Sequence, residues 1–243
     1  MDAYELKALR ELKQWQKDMS ANPSWINRLS KRVQTRINSY IPQKVHGAIT
    51  ATIKQMVRGV LFGATHTTFR KPAQRDLVFA EAAVKNKINI YKTTAATEGG
   101  ITGAGGFLMA MADFPLLLGI KIKLLFEIAT EYGFSVREYK ERLFILHVMQ
   151  LAFSSQENRK LVYRQIADWD EKSKLLPEDI KDFDWQSFQQ EYRDYIDLAK
   201  LAQLIPGIGA VVGVAVNYRL INQLGKTAMN AYRMRLYETR KIT

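Results

Sequence analysis

Pro115-Leu116-Leu117-Leu118-Gly119-Ile120-Lys121-Ile122-Lys123-Leu124-Leu125-Phe126-Glu127-Ile128-Ala129-Thr130-Glu131-Tyr132-Gly133 sets the pattern for the whole chain. Leu116, Ile120, Leu124 and Ile128 recur at four-residue steps, which stacks them on one face of a helix. Asp113-Phe114-Pro115 predicts a break, with Asp113 capping the helix that starts around Pro115, and Gly133 predicts its end. Downstream, Ser135-Val136-Arg137-Glu138 matches a capping box for a helix carrying Leu143, Leu146, Met149 and Phe153. Upstream, Leu6, Leu9, Leu12, Trp15 and Met19 mark an amphipathic helix with Asp2 as its cap. Asn22-Pro23-Ser24 interrupts it before a second helix with Ile26, Leu29, Val33, Ile37 and Tyr40 on one face. Pro42 opens a third, with Val45, Ile49, Ile53, Met56, Val57, Val60 and Leu61. Pro72 opens a fourth, with Leu77, Ala80, Val84, Ile88 and Tyr91, since proline suits the first turn of a helix. Beyond the polar 168–190 excursion, with its loop-to-helix entry at Leu176-Pro177-Glu178-Asp179, a long helix is expected from Pro206, apolar first and basic at its end. No period-two alternation interrupts this series. The fold class is all-α: a single multi-helix domain over 42–243, preceded by amphipathic helices over 1–41.

The 243 residues carry 47% hydrophobic and 25% charged side chains, the proportions of a folded protein with a packed core. Without cysteine, disulfides, thiolate chemistry and Cys-ligated metal centres are excluded. Tyr4-Glu5-Leu6-Lys7 puts charge where a secretory signal needs an apolar core, so a cytoplasmic protein is expected. The net charge of +12 is uneven: +11 over residues 1–92, −6 over 168–197 and +6 over 198–243. Basic ends suit an anionic partner, or simply form a solvated exterior.

Two glycine-rich apolar stretches stand out. The first is Glu98-Gly99-Gly100-Ile101-Thr102-Gly103-Ala104-Gly105-Gly106-Phe107. The second is Pro206-Gly207-Ile208-Gly209-Ala210-Val211-Val212-Gly213, which runs on to Asn217-Tyr218-Arg219. Glycine disfavours helix, so its concentration here needs close approach of backbones, of a ligand or of a membrane. Residues 204–216 are too short to span a bilayer, and 101–120 carry Asp113 and Pro115 with Lys121 and Lys123 following. An aspartate at the bilayer centre costs on the order of 3 kcal/mol or more. Two placements stay open: closely packed central helices of a bundle, or a shallow dip into one leaflet with basic side chains at the head groups. The small-xxx-small spacings at Gly59 and Gly63, and at Gly209 and Gly213, fit either.

Signatures of chemistry fail on spacing. A dinucleotide fingerprint meets Leu108 or Val212 where its third glycine belongs, and no strand precedes either run. Gly225-Lys226-Thr227 lacks the earlier P-loop glycine, because Leu220 occupies that position. His46, His66 and His147 are scattered without metal-ligand spacing, and no nucleophile elbow exists. No cofactor or metal is expected, and the aromatics lie at core spacing rather than on a nucleic-acid platform. Asp113, Glu127, Asn217 and Arg219 are polar residues within apolar sequence, candidates for a ligand site. Each also has an ordinary reading: Asp113 as a cap, Glu127 as the helical partner of Lys123, and Asn217 and Arg219 as fasteners of the last helix to carbonyls. With Gly103, Gly105, Gly106, Gly207, Gly209 and Gly213 they make up the candidate binding set.

Together, the first glycine run with Ala112-Asp113-Phe114-Pro115 and Ile128-Ala129-Thr130-Glu131-Tyr132-Gly133, and the second with Asn217-Tyr218-Arg219, resemble the EcsC protein family. The similarity covers about Pro42 to Arg235. That resemblance implies a bacterial helical protein with membrane association. The family takes its name from a protein encoded beside an ABC transporter, and it brings no catalytic residues to carry over. The expected function is a non-enzymatic accessory protein at an anionic membrane surface or on a membrane partner such as a transporter, peripheral on the inner face. The alternative is a lipid-handling protein or hydrolase with a pocket between the glycine segments, lined by Asp113, Glu127 and Asn217.

Overall fold

A computed structural model describes residues 1–21, 43–62, 72, 75–102, 106–155, 157–196 and 213–239. Nine α-helices lie among the described residues: α1 (Ala3–Ser20), α2 (Gln43–Phe62), α3 (Leu77–Thr102), α4 (Gly106–Glu131), α5 (Tyr139–Phe153), α6 (Arg159–Ile166), α7 (Trp169–Lys172), α8 (Trp185–Tyr195) and α9 (Gly213–Thr239). Two short 3₁₀ turns connect α7 to α8, and the only β-pairing among these residues is an isolated bridge between Ser154 and Ile196. The all-α expectation holds.

The centre is built from α3, which packs along α9 on one side and against α4 on the other. Beyond it, α5 packs against α9, α2 lies on α4 and α5, and α1 rests against α9, α6 and α3. One continuous apolar cluster unites them, with Val84, Leu124, Leu125, Phe144, Leu146, Ile221 and Tyr232 at zero exposure. The aromatic centre is Tyr232, stacked on Tyr132 at 5.4 Å and edge-on to Phe144 at 5.3 Å.

Several termini follow the expected chemistry. Asp2 caps α1 by accepting from the Glu5 N–H at 2.7 Å, and the Glu5 side chain returns the bond to the Asp2 N–H, completing a capping box. The helix α4 ends at Glu131, and Gly133 takes the left-handed conformation (φ 88°). The Phe134 N–H then reaches back to the Ala129 carbonyl at 3.0 Å, a glycine-based termination.

Others depart from it. Residues 113–115 lie inside α4, which runs through Pro115 without a break. Phe114, Leu117 and Leu118 are buried around an exposed Pro115, so packing holds the helix across a residue that cannot donate to the preceding turn. Thus Asp113 is not an N-cap. The Ser135–Glu138 capping box does not form either: Glu138 is the N-cap of α5 and makes no side-chain cap bond. The reason lies in Arg142, whose guanidinium binds the Val136 and Arg137 carbonyls and holds residues 136–137 as a turn. The same guanidinium caps α2 by donating to the Leu61 carbonyl at 2.8 Å. The fourth helix starts at Leu77, not Pro72, with the Asp76 carbonyl accepting its first bonds. The helix expected over 26–40, the Asn22–Ser24 interruption, Pro42, and residues 103–105 and 206–212 lie outside the described residues.

Candidate functional site

The basic end of α9 is internal. Arg233 forms a two-bond fork with the fully buried Glu81, Nε to Oε1 and Nη2 to Oε2 both at 2.6 Å, and also reaches Glu11 at 2.9 Å. Burial pushes the Glu81 carboxyl up, but the Arg233 guanidinium and the Tyr4 hydroxyl outweigh it and hold it below the usual carboxylate range. Arg235 binds Glu141 at 2.6 Å and Asp170 at 2.6 Å, and lies over the Phe134 ring at 3.9 Å. Here burial wins: the Glu141 carboxyl is raised despite Arg235 and the hydroxyl of Tyr232 at 2.6 Å. These clusters tie α9 to α1, α3, α5 and α7, and every charge in them faces an opposite one. They are fasteners, with Glu81, Glu141, Arg233 and Arg235 buried and only Glu11 and Asp170 reaching solvent.

The candidate polar residues scatter rather than converge. Glu127 on α4 is held by Lys87 of α3 at 2.9 Å and the Tyr91 hydroxyl at 2.8 Å, not primarily by Lys123. Burial raises it, yet these two partners bring its carboxyl below the ordinary range, with Lys123 contributing only a weaker field. Asn217 is fully buried, accepts from Lys121 Nζ at 3.5 Å and has no partner for its Nδ2 among the described residues. Arg219 is exposed. Among the described residues Asn217 meets the Lys121 side chain rather than a carbonyl. Gly106 opens α4 and Gly213 opens α9, whereas Gly103, Gly105, Gly207 and Gly209 lie outside the described residues. His147 is wedged between Trp169 and Phe188, and burial pushes its imidazole down to about 4. Among the described residues no group of His, Asp or Glu side chains is arranged to hold a metal ion.

An opening does exist, in a place the sequence did not mark. Between α2 and α4 lies a cleft of about 350 Å³, floored by Met56, Val60, Leu118, Ile122 and Phe126 and edged by Thr52, Gln55 and Pro115. Gly59 and Gly119 line it from opposite helices, and a Cβ on either would meet nothing within 4 Å among the described residues. No described helix closes on Gly59, and Gly63, the other half of its small-xxx-small spacing, lies outside the described residues. The close crossing is at Gly225, whose added Cβ would fall 2.5 Å from Cδ1 of Ile88. Arg58, next to Gly59 in sequence, and Lys123, one turn after Gly119, are both exposed. Helix α2 contains Lys44, Lys54 and Arg58 and no carboxylate. The cleft is lined chiefly by apolar side chains, with Thr52 and Gln55 as its polar edge.

The chain belongs to the EcsC protein family, whose model matches residues 6–237. It is 43% identical over 229 residues to Protein EcsC of Bacillus subtilis, covering 94% of each chain. It is also 26% identical over 251 residues to the uncharacterized protein YdbA of the same bacterium, covering 93% of this chain and 90% of that one. No solved structure matches it.

Proposed function

We propose that this member of the EcsC family is a non-enzymatic helical protein that works against an anionic membrane surface, from the cytoplasmic side and beside a membrane partner such as a transporter. The observation that carries the reading is α2, a helix without a single carboxylate, on which Lys54 and Arg58 are exposed at a four-residue step and Phe62 is partly exposed beside the edge of Trp185. Cations beside an exposed aromatic ring are what an interfacial surface needs: the charges attract phosphate head groups and the ring enters the head-group layer. Leu116 on α4, 59% exposed and one turn before Ile120, continues the apolar character on the other side of the cleft. No described helix is long and apolar enough to cross a membrane, so contact at the surface is the mode these residues support.

The test is sedimentation with vesicles of phosphatidylglycerol and, separately, of phosphatidylcholine. Binding is expected only to the anionic vesicles and should weaken as salt is raised. A cation near such a surface contributes about 1 kcal/mol, so a Lys54→Gln/Arg58→Gln variant should lower the partition coefficient roughly thirtyfold. Protein left in the supernatant at low salt would overturn the reading.

A further inference from the structure

We infer that a second, polar groove, between α2 and α8, binds the phosphate ester of a small polyol, with Lys54 and Arg193 taking the phosphate and the glutamines of α8 taking the hydroxyl groups. The inference rests on the membrane reading only for one source of that ester, a phospholipid head group. The other source is the free ester in solution.

The groove encloses about 360 Å³, at the lower end of small-molecule sites. Thr50 and Lys54 line it from α2, one turn apart, and Gln186, Gln189, Gln190 and Arg193 line it from α8. These four recur at helical spacing, so they share one face of α8, while Phe188 and Tyr192 on the other side are buried in the core. The two walls are tied together where Gln189 Nε2 donates to the Lys54 carbonyl at 3.2 Å. Nearer the start of α8, Trp185 meets Phe62 edge-on at 6.4 Å. Phe62 follows Lys54 and Trp185 precedes Gln189, so the helices run antiparallel, which carries Arg193 towards Thr50, one turn from Lys54.

Charge and hydrogen-bonding capacity select the occupant. No carboxylate lines the groove, and both of its ionic side chains are cations. Asp194, outside the lining, engages Nε and Nη2 of Arg193 at 3.2 and 3.1 Å. An exposed pair of this kind contributes little, so it does not compete strongly with an incoming phosphate. Two cations match the charge of a phosphate. Three amides and the Thr50 hydroxyl present donors and acceptors together, which hydroxyl groups satisfy and an apolar segment would leave unpaired.

The experiment titrates the ¹⁵N-labelled full chain with glycerol 3-phosphate, inorganic phosphate and glycerol. The Trp185 indole N–H and the side-chain amides of Gln186, Gln189 and Gln190 should shift saturably with glycerol 3-phosphate. Inorganic phosphate should bind at least tenfold more weakly, and glycerol should leave the signals in place. Arg193→Gln should weaken glycerol 3-phosphate at least tenfold, and Gln190→Leu should remove most of the preference over inorganic phosphate. Both positions are exposed, and unchanged melting temperatures check that the fold is kept. Absence of saturable shifts at these signals overturns the inference, as does equal affinity for the ester and for inorganic phosphate. Sedimentation with phosphatidylglycerol vesicles separates the sources, because Arg193 lies off the α2 row that carries the membrane reading. If Arg193→Gln lowers vesicle binding together with ester binding, the head group is the source; if only ester binding falls, it is the free ester. Vesicle binding without ester binding leaves the membrane reading standing and removes the groove assignment, and ester binding without vesicle binding does the reverse.

Discussion

At the scale of single residues, two glycines inside helices, Gly225 and Gly119, have opposite duties. Gly225 lies where α9 crosses α3, and its missing side chain is occupied by Ile88, which is itself buried. Gly225→Ala forces both Ile88 and the helices apart, an overpacking cost of about 1–3 kcal/mol that outweighs alanine's better helix propensity. Gly119→Ala meets open space and should instead gain about 0.5–1 kcal/mol. Denaturant unfolding of the two variants reads both signs, and shortening Ile88 to Val should recover part of the Gly225→Ala loss. Sequence spacing could not separate these positions, because what fills the space beside a glycine comes from another helix. Gly225-Lys226-Thr227 drew notice only as a failed phosphate loop, yet it marks the tightest helix contact described here. Nor could spacing reveal that Glu81, Glu141, Arg233 and Arg235 are paired, since each partner lies on a different element.

At the scale of elements, α1 shows how local chemistry and packing divide the work. Its Asp2–Glu5 capping box is complete, but only Ala8 and Leu12 of its residues are buried, so its attachment is slight. Asp2→Ala should cost about 0.5–2 kcal/mol, expressed as faster amide exchange in the first turns of α1 with little change in the core helices. That cap was legible because both of its partners lie within three residues. So were α2, the end of α4 at Gly133, and the all-helical class, each written in periodicity or in a terminal glycine. The failed expectations share the opposite cause. Pro115 was read as a break because the burial of Phe114 and Leu118 against other helices is invisible locally. Ser135-Val136-Arg137-Glu138 was read as a capping box because the claim of Arg142 on the turn carbonyls arises only after folding. The cleft was illegible for the same reason, since its two walls are separated by more than fifty residues.

At the scale of the whole molecule, the half-buried His147 gives stability a defined dependence on acidity. Burial depresses its pKa from 6.5 to about 4, so between these values the unfolded chain binds a proton that the folded one refuses. Its contribution is therefore fully present above about pH 6.5 and is lost as pH falls towards 4, on the order of 3 kcal/mol in all. Unfolding free energies measured across that window should show the slope, and His147→Phe should flatten it. Glu81, depressed below 4.5, adds a further loss only at lower pH, as its carboxylate is neutralised in front of Arg233. The pairing of Glu81 with Arg233 also spans 152 positions of sequence, and the Tyr237 hydroxyl donates to the Glu5 carbonyl across 232. At ribosomal rates of about 5–20 residues per second, Glu81 waits roughly 8–30 s for its guanidinium. During that interval the emerging helices have an incomplete interior and an unneutralised acid within it. The interior therefore cannot be completed before α9 is made, and folding during synthesis waits on that helix.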